Sequence, residues 1–183
     1  MQKICFATHN EGKLKEAQKI LGMHVQAAGF EVDEIQSLDP IEVATKKAEA
    51  YFEKLRKPIF VEDISFSFFA LKGLPGTYIN DFLKLLGNEG LIDLLKGKKD
   101  RKAMVQATVV YVDKDGKAHV FIGKVEGSIS DKPKGEGFGW DPIFVPEGED
   151  KTFGEMELSE KNKYSMRASA LNKMKEWLRN NEP

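Results

Sequence analysis

The sequence predicts an α/β fold whose sheet contains both parallel and antiparallel strands. In the first third of the chain, short apolar runs without a polar face, which indicate buried strands, alternate with segments of helical periodicity. Farther along, two β-rich runs, residues 104–112 and 117–125, are joined by residues 113–116, whose Asp-Lys-Asp-Gly sequence is a hairpin signal. A hairpin requires antiparallel strands, so we expect a mixed sheet accompanied by helices.

The length and charge of the chain limit what it can be. Its 183 residues are enough for one domain with a substantial core, and we expect residues 1–183 to form a single domain. With 28 Lys and Arg against 29 Asp and Glu, the formal net charge of −1 argues against binding to nucleic acid or to a membrane surface. The single cysteine, Cys5, has no disulfide partner, and no run approaches the ~18 apolar residues of a membrane helix. We therefore expect a cytoplasmic protein that binds any anion locally.

The first strand-to-helix turn is a candidate anion site. An apolar strand, residues 4–7, precedes a segment whose apolar side chains have helical spacing, residues 14–21. Thr8, Asn10 and Lys13 lie between them, at a helix N-terminus, where free N–H groups and the helix dipole favour an anion. The alternative is an ordinary Asn cap followed by a solvated lysine.

A second helix is predicted to begin after Asp39. Asp39 is a good N-cap, Pro40 suits the first helical position, and Glu42 is placed to complete a capping box. The buried face of this helix is expected to consist of Ile41, Ala44, Ala48, Tyr51, Phe52 and Leu55. Lys47 lies off this face, so it either flanks a binding site or is solvated.

Two carboxylates follow the next buried strand. Residues 58–61 are apolar and run directly into Glu62 and Asp63, and side chains at the carboxyl ends of strands face ligand sites in open α/β sheets. Because neighbouring residues of a strand point to opposite faces, we expect only one of the two to face a ligand. The alternative is a hydrogen-bonded turn with solvated carboxylates. A further carboxylate, Glu34, lies in a polar loop after a weak strand predicted at residues 25–32.

The middle of the chain predicts helices and a solvated loop. Two helical segments, residues 78–86 and 89–95, are separated by Gly87 and Asn88. The basic run that follows, residues 96–102, has no interleaved aromatic residues, so we expect a solvated loop without a role in nucleic-acid binding.

A glycine-rich segment, residues 135–142, is a candidate for binding a flat ligand. Its glycines let the backbone approach closely, and Phe138 and Trp140 offer flat faces that suit a nucleobase. The alternative is a loop whose aromatic side chains fill the core. Near the C-terminus, Arg167 lies in the first turn of a predicted helix, a poor place for a cation unless it serves a ligand or a carboxylate.

Five stretches, taken in order, resemble the inosine triphosphate pyrophosphatase family, also called the Ham1-like family. They are Thr8-x-Asn10-x-x-Lys13, Val61-Glu62-Asp63, Leu74-Pro75-Gly76-x-Tyr78, Phe138-Gly139-Trp140-Asp141-Pro142 and Glu160-Lys161-Asn162-x-x-Ser165-x-Arg167. The resemblance spans nearly the whole chain. It implies an elongated mixed sheet flanked by helices, two lobes with a nucleotide cleft between them, and a homodimer.

The resemblance also implies an enzyme. Members of this family hydrolyse non-canonical purine nucleoside triphosphates, namely those of inosine, deoxyinosine and xanthosine, to the monophosphate and pyrophosphate, which cleanses the nucleotide pool. By similarity, Mg²⁺, with Mn²⁺ as an alternative, is held by Glu34 and Asp63 together with phosphate oxygens.

The resemblance assigns the remaining residues by the part of the substrate they meet. The implied catalytic residues are Asp63 as general base, Glu62 as the reserve candidate, and Lys13. The implied phosphate-binding residues are Thr8, Asn10, Lys13 and Lys47. The implied base-binding residues are Phe138, Gly139, Trp140, Asp141, Lys161 and Arg167.

Two positions depart from the family pattern. Ile64 stands where a serine or threonine usually follows the acidic pair, and Met166 stands where a histidine is expected near the 6-oxo group of the purine. The loss of that donor leaves a broader triphosphate pyrophosphatase, with altered base selection, as an alternative. A non-catalytic nucleotide-binding module is the alternative from another class.

Overall fold

A seven-stranded mixed sheet and five α-helices make up most of the structure, a computed structural model that describes residues 4–181. The strands are β1 (Ile4–Phe6), β2 (Val25–Ala27), β3 (Ile59–Phe68), β4 (Pro75–Gly76), β5 (Lys102–Val112), β6 (Ala118–Ile129) and β7 (Phe144–Pro146). The helices are α1 (Glu11–Leu21), α2 (Pro40–Leu55), α3 (Ile79–Asp93), α4 (Leu158–Lys161) and α5 (Met166–Asn181).

The strand order confirms the predicted mixed sheet. Along the sheet the order is β2-β1-β3-β5-β6-β7, and β4 pairs with β3 off this path. β1 is parallel to both β2 and β3, whereas β3–β4 and β6–β7 are antiparallel pairs. The predicted hairpin joins β5 to β6, and Gly116 adopts φ 82° in its turn, as a hairpin glycine does.

The first two helices begin where local sequence signals place them, and α1 also ends at a glycine. Asn10 caps α1, and Gly22 ends it in the left-handed conformation. Asp39 caps α2 by accepting hydrogen bonds from the backbone N–H groups of residues 41 and 42. The capping box predicted for Glu42 is wrong, because Glu42 accepts instead from the hydroxyl of Ser37 at 2.6 Å, and that same hydroxyl accepts from the N–H of Asp39. The buried face of α2 is also narrower than predicted, since Ile41 is exposed.

Three strand predictions needed correction in length, and one of them is β6, which runs to Ile129 instead of residue 125. β2 ends at Ala27 instead of residue 32, and two of its three side chains are exposed, as on a poorly covered edge. β3 continues to Phe68, so Glu62 and Asp63 lie inside the strand and not at its end. Its parallel pairing with β1 extends only through Phe60, so the two carboxylates still come directly after the paired segment.

The described residues form two compact units. The first unit comprises 4–63, 107–123 and 167–181, and the second unit comprises 64–106 and 124–166. The chain of β3, β5 and β6 runs through both units. The prediction of one domain over residues 1–183, and that of a cleft between two lobes, stay predictions.

Each unit has a core of its own. In the first unit, the strands and α2 contribute a cluster that includes Cys5, Tyr51, Ile59, Val61 and Val110. In the second unit, aromatic rings dominate a cluster that includes Phe66, Phe68, Phe144 and Phe153. No helix within residues 4–181 is long and apolar enough to span a bilayer.

Candidate active site

The turn between β1 and α1 is held by its own side chains. The Thr8 hydroxyl accepts a hydrogen bond from the N–H of Asn10, and the Asn10 side chain accepts from the N–H of Lys13, both at 3.1 Å. The Asn cap of the alternative is therefore confirmed, but its solvated lysine is wrong, because the ammonium of Lys13 lies 3.2 Å from Glu62. The assignment of Thr8, Asn10 and Lys13 to phosphate binding stays a prediction, and it is compatible with a cap because the turn remains at a helix N-terminus.

Glu62 is the centre of a buried ion-pair cluster in the first unit. Its side chain is 0% exposed, and both of its oxygens accept from the guanidinium of Arg167, at 2.6 and 3.0 Å. The ammonium of Lys13 lies 3.2 Å from the same carboxylate. Burial alone would raise the pKa of Glu62, but Lys13 and Arg167 outweigh that effect and hold the pKa below its ordinary value. Glu62 is therefore a stable anion that connects α1, β3 and α5.

Glu16 belongs to this cluster, and the sequence reasoning did not identify it. One oxygen of Glu16 accepts from Nη1 of Arg167 at 2.6 Å. A guanidinium has five N–H groups, so the three bonds to Glu16 and Glu62 do not exhaust its capacity to donate. Arg167 was expected to serve a ligand or a carboxylate, and it serves two carboxylates. Its role toward a base stays a prediction.

Asp63 belongs to a separate cluster in the same unit. The ammonium of Lys47 lies 2.9 Å from Oδ1 of Asp63 and 2.9 Å from Oε1 of Glu34. Glu62 and Asp63 thus have different partners, as expected for neighbouring residues of a strand. Lys47 is not solvated, since only 14% of its side chain is exposed.

The electrostatics of this second cluster suit proton transfer. Burial raises the pKa of Asp63 by more than Lys47 lowers it, and Glu34 raises it further. Burial would lower the pKa of Lys47, but Asp63 and Glu34 outweigh that effect and raise it. The pKa of Asp63 is therefore above that of an ordinary aspartate, which is the direction in which a general base is tuned.

Asp63 and Glu34 also fit a divalent cation. Oδ2 of Asp63 is buried and has no hydrogen-bond partner among the described residues, and a buried oxygen without a donor is poorly stabilised. Mg²⁺ is commonly held by one or two carboxylates together with phosphate oxygens of the substrate. Within residues 4–181, no group of three or more His, Cys, Asp or Glu side chains could hold a metal ion by itself. The assignment of Glu34 and Asp63 to Mg²⁺ stays a prediction.

The glycine-rich loop belongs to the second unit, and its two aromatic side chains behave differently. Phe138 is 87% exposed. Trp140 packs in the core, with its ring centroid 4.9 Å from that of Phe66. Each of the two alternatives for this loop therefore holds for one ring: Trp140 fills the core, and Phe138 is presented to solvent.

Asp141 fixes this loop through a nearly buried carboxylate. Oδ2 of Asp141 accepts from the N–H of Phe138 at 3.1 Å and from the ammonium of Lys161 at 2.5 Å. Lys161 also lies 5.4 Å from the ring centroid of Phe153. The structure thus brings together Phe138, Asp141 and Lys161, three of the residues assigned to the base. The Met166 side chain packs against the core of the second unit.

A sequence profile of the Ham1 family matches residues 4–177 of this chain. The chain belongs to the Ham1 family. Among its relatives, the dITP/XTP pyrophosphatase of Methanopyrus kandleri is 42% identical, with 98% of this chain and 97% of the relative covered. The inosine triphosphate pyrophosphatase of Aspergillus fumigatus is 41% identical, with 96% and 94% covered.

Solved structures of Ham1 proteins share the fold of this family member. The Ham1 protein of Staphylococcus aureus superposes with a TM-score of 0.88 at 31% identity, covering 99% of this chain and 100% of the other. The HAM1 protein of Coxiella burnetii superposes with a TM-score of 0.90 at 24% identity, covering 98% and 100%. The mixed α/β fold expected from the Ham1-like resemblance is confirmed.

Proposed function

We propose that this Ham1 family member hydrolyses the triphosphates of inosine, deoxyinosine and xanthosine to the monophosphate and pyrophosphate. Relatives about 40% identical over nearly the full chain bear the names dITP/XTP pyrophosphatase and inosine triphosphate pyrophosphatase. The proposal rests on Oδ2 of Asp63, which is buried beside Lys47 and Glu34 and has no donor among residues 4–181. Such an oxygen suits both a divalent cation and the proton of an attacking water.

The residues of the first unit divide the chemistry between them. Asp63 takes a proton from water while the water oxygen bonds to the α-phosphorus, and the bond from that phosphorus to the β-phosphate oxygen breaks. The electron pair leaves with pyrophosphate. Lys13, held by Glu62, places a positive charge beside the phosphate-binding turn, and Lys47 places another beside Asp63. Glu34 and Asp63 would hold Mg²⁺, which when bound would neutralise charge on the phosphates.

The residues of the second unit are assigned to the purine. Phe138 stacks on the base, because its ring is exposed while the peptide behind it is fixed by Asp141. Lys161 retains donors for a 6-oxo group, since an ammonium has three N–H groups and one is directed to Asp141.

Product analysis tests the reaction. The purified protein is incubated with Mg²⁺ and inosine triphosphate, and the products are separated by ion-exchange chromatography. We expect inosine monophosphate and pyrophosphate in equal amounts. Orthophosphate with inosine diphosphate would refute the proposal, because that pair requires attack on the γ-phosphorus.

The preference for 6-oxopurines over adenine is expected to be retained but reduced. Met166 has no N–H group to donate to a 6-oxo group, and the rejection of a wrong base depends on the number of such polar contacts. We expect inosine, xanthosine and guanosine triphosphates to be hydrolysed faster than adenosine triphosphate, and Met166→His to widen the gap by about 5-fold, the worth of one net hydrogen bond. Equal rates on all four would favour the broader triphosphate pyrophosphatase.

We also propose a cytoplasmic homodimer. Leu85 and Leu86, adjacent on α3, are 81% and 44% exposed, and large exposed apolar side chains are typical of interfaces. Light scattering should give the mass of two chains, and Leu85→Lys should give the mass of one. As a control, Val120→Lys, at an exposed position of β6, should not change the mass. A wild-type mass of one chain would refute the dimer.

A further inference from the structure

The helix α3 is broken at Gly87. Its backbone there has φ 65° and ψ −176°, a combination essentially confined to glycine. A Cβ at Gly87 would meet no atom within 4 Å, so the backbone conformation, and not crowding, selects glycine at this position. The break sets the direction of the residue that follows, Asn88.

Asn88 connects α3 to the glycine-rich loop. Its Nδ2 donates a hydrogen bond to the carbonyl oxygen of Gly139, 3.0 Å away. The opposite orientation of the amide would bring two oxygens together, so this bond fixes the side chain. Oδ1 of Asn88 is buried without a hydrogen-bond partner among the described residues, which costs free energy that an apolar side chain would avoid. Packing alone therefore gives no reason for an asparagine here.

The peptide that accepts this bond lies directly after the exposed ring of Phe138. On its other side, Trp140 packs in the aromatic core, and Asp141 accepts from the N–H of Phe138. Gly139 lies between these anchors with φ 67°, and a glycine peptide has many accessible conformations. The donor of Asn88 restrains this peptide from the side of α3.

We propose that Asn88 is a positioning residue for the Phe138 ring. By fixing the Gly139 carbonyl, it sets the direction from which Phe138 meets a purine. This inference rests on the proposed function, in which Phe138 stacks on the base. The restraint exists before substrate binds, so its loss weakens the binding of a base-bearing substrate. The same loss does not change the reaction at the phosphates, nor the binding of a phosphate chain that carries no base.

Two substitutions of Asn88 separate its donor from its shape. Asn88→Ala should raise the KM for inosine triphosphate about 3- to 10-fold, the loss of about one net hydrogen bond, with kcat within about twofold. Asn88→Asp keeps the shape, removes the donor and turns a carboxylate toward a carbonyl, so its effect should be at least as large. Inorganic tripolyphosphate, which has no base, should inhibit both variants with the wild-type inhibition constant. As a control, Asn172→Ala, at an exposed position of α5, should not change KM or kcat.

A double substitution tests whether Asn88 acts through Phe138. In a Phe138→Ala background, Asn88→Ala should change KM by less than about twofold, because the ring that it positions is gone. An unchanged KM in Asn88→Ala, an equal loss of tripolyphosphate binding, or full additivity with Phe138→Ala would overturn the inference. A wild type that does not hydrolyse inosine triphosphate would overturn the proposed function and this inference together.

Discussion

Replacing Glu62 by Gln tests whether this carboxylate stabilises the fold or reacts. Its side chain is 0% exposed, accepts from Arg167 at 2.6 and 3.0 Å, and lies 3.2 Å from the ammonium of Lys13. Removing one member of a buried ion pair typically costs ~3–5 kcal/mol, because the remaining charge is left uncompensated. Arg167 keeps its bond to Glu16, and the Lys13 side chain is 30% exposed. We therefore expect the lower end of that range, ~3 kcal/mol.

Thermal unfolding followed by circular dichroism measures this loss. For a chain of this length ~1 kcal/mol corresponds to ~2–4 °C, so Glu62→Gln should unfold ~6–12 °C below the wild type at neutral pH. Because the folded-state pKa of Glu62 is below its unfolded value of ~4.3, its contribution is complete above that pH and is lost as the pH falls through the folded-state pKa. The difference between the two proteins should therefore shrink in acid.

Asp63→Asn is the matched variant at the next position of β3. It should lower kcat by ~10²–10⁴, the usual contribution of a positioned base, while nucleotide binding remains detectable. Asp63→Asn should lower the free energy of unfolding by less than Glu62→Gln does. Burial raises the pKa of Asp63, so the native fold stabilises its charged form less, and Lys47 keeps its ion pair with Glu34 in the variant. A Glu62→Gln protein as stable as the wild type would refute the ion-pair reasoning. Full activity of Asp63→Asn would remove Asp63 from the mechanism, and an equal loss of turnover in folded Glu62→Gln would transfer the role of base to Glu62.

Three further predictions concern the base and the metal. Phe138→Ala should raise the KM for inosine triphosphate about 5- to 150-fold, since stacking contributes ~1–3 kcal/mol. The unfolding temperature should not change, because Phe138 is 87% exposed. An unchanged KM would exclude stacking. Lys161→Met should lower the unfolding temperature, because the carboxylate of Asp141 is only 8% exposed and loses a cation 2.5 Å away. Adding Asp141→Asn should restore part of the lost unfolding temperature. The absence of any restoration would contradict the pairing of Lys161 with Asp141. Chelation of divalent cations should stop turnover, and added Mg²⁺ should restore it. Glu34→Gln should raise the half-saturating Mg²⁺ concentration at least ~10-fold. An unchanged half-saturating concentration would remove Glu34 from the metal site.

The sequence predicted best those elements whose signals are local. α2 begins where Asp39 and Pro40 place it, and the hairpin turn contains Gly116 in the conformation that a hairpin needs. Both signals act within a few residues of the chain, so no distant contact can override them easily. The details that failed depended on neighbours outside the pattern: Ser37 takes the place predicted for Glu42 in the cap, and Ile41 meets solvent instead of the core.

Local sequence patterns do not predict the contacts within the candidate site. Arg167 and Glu16 are 151 positions apart, and Lys47 and Asp63 are 16 apart on different elements. Sequence periodicity states which face of an element a side chain occupies, but not which face of another element meets it. One signal was nevertheless present: a cation in the first turn of α5 opposes the helix dipole, so Arg167 required a carboxylate or a ligand.

In the proposed reaction, base selection depends on the remaining donors, because Met166 stands where the Ham1-like pattern has a histidine. The Met166 side chain packs against the core of the second unit, and a thioether offers no N–H group to a 6-oxo group. In the proposed base site, Lys161 is a cation with more N–H groups than its contact to Asp141 uses. A 6-oxo group would accept from it, whereas a 6-amino group is itself a donor and would leave it unsatisfied. Discrimination should therefore survive the loss of one donor with a smaller margin. The ratio of inosine to adenosine triphosphate hydrolysis, and not activity on inosine triphosphate alone, measures what Met166 changes.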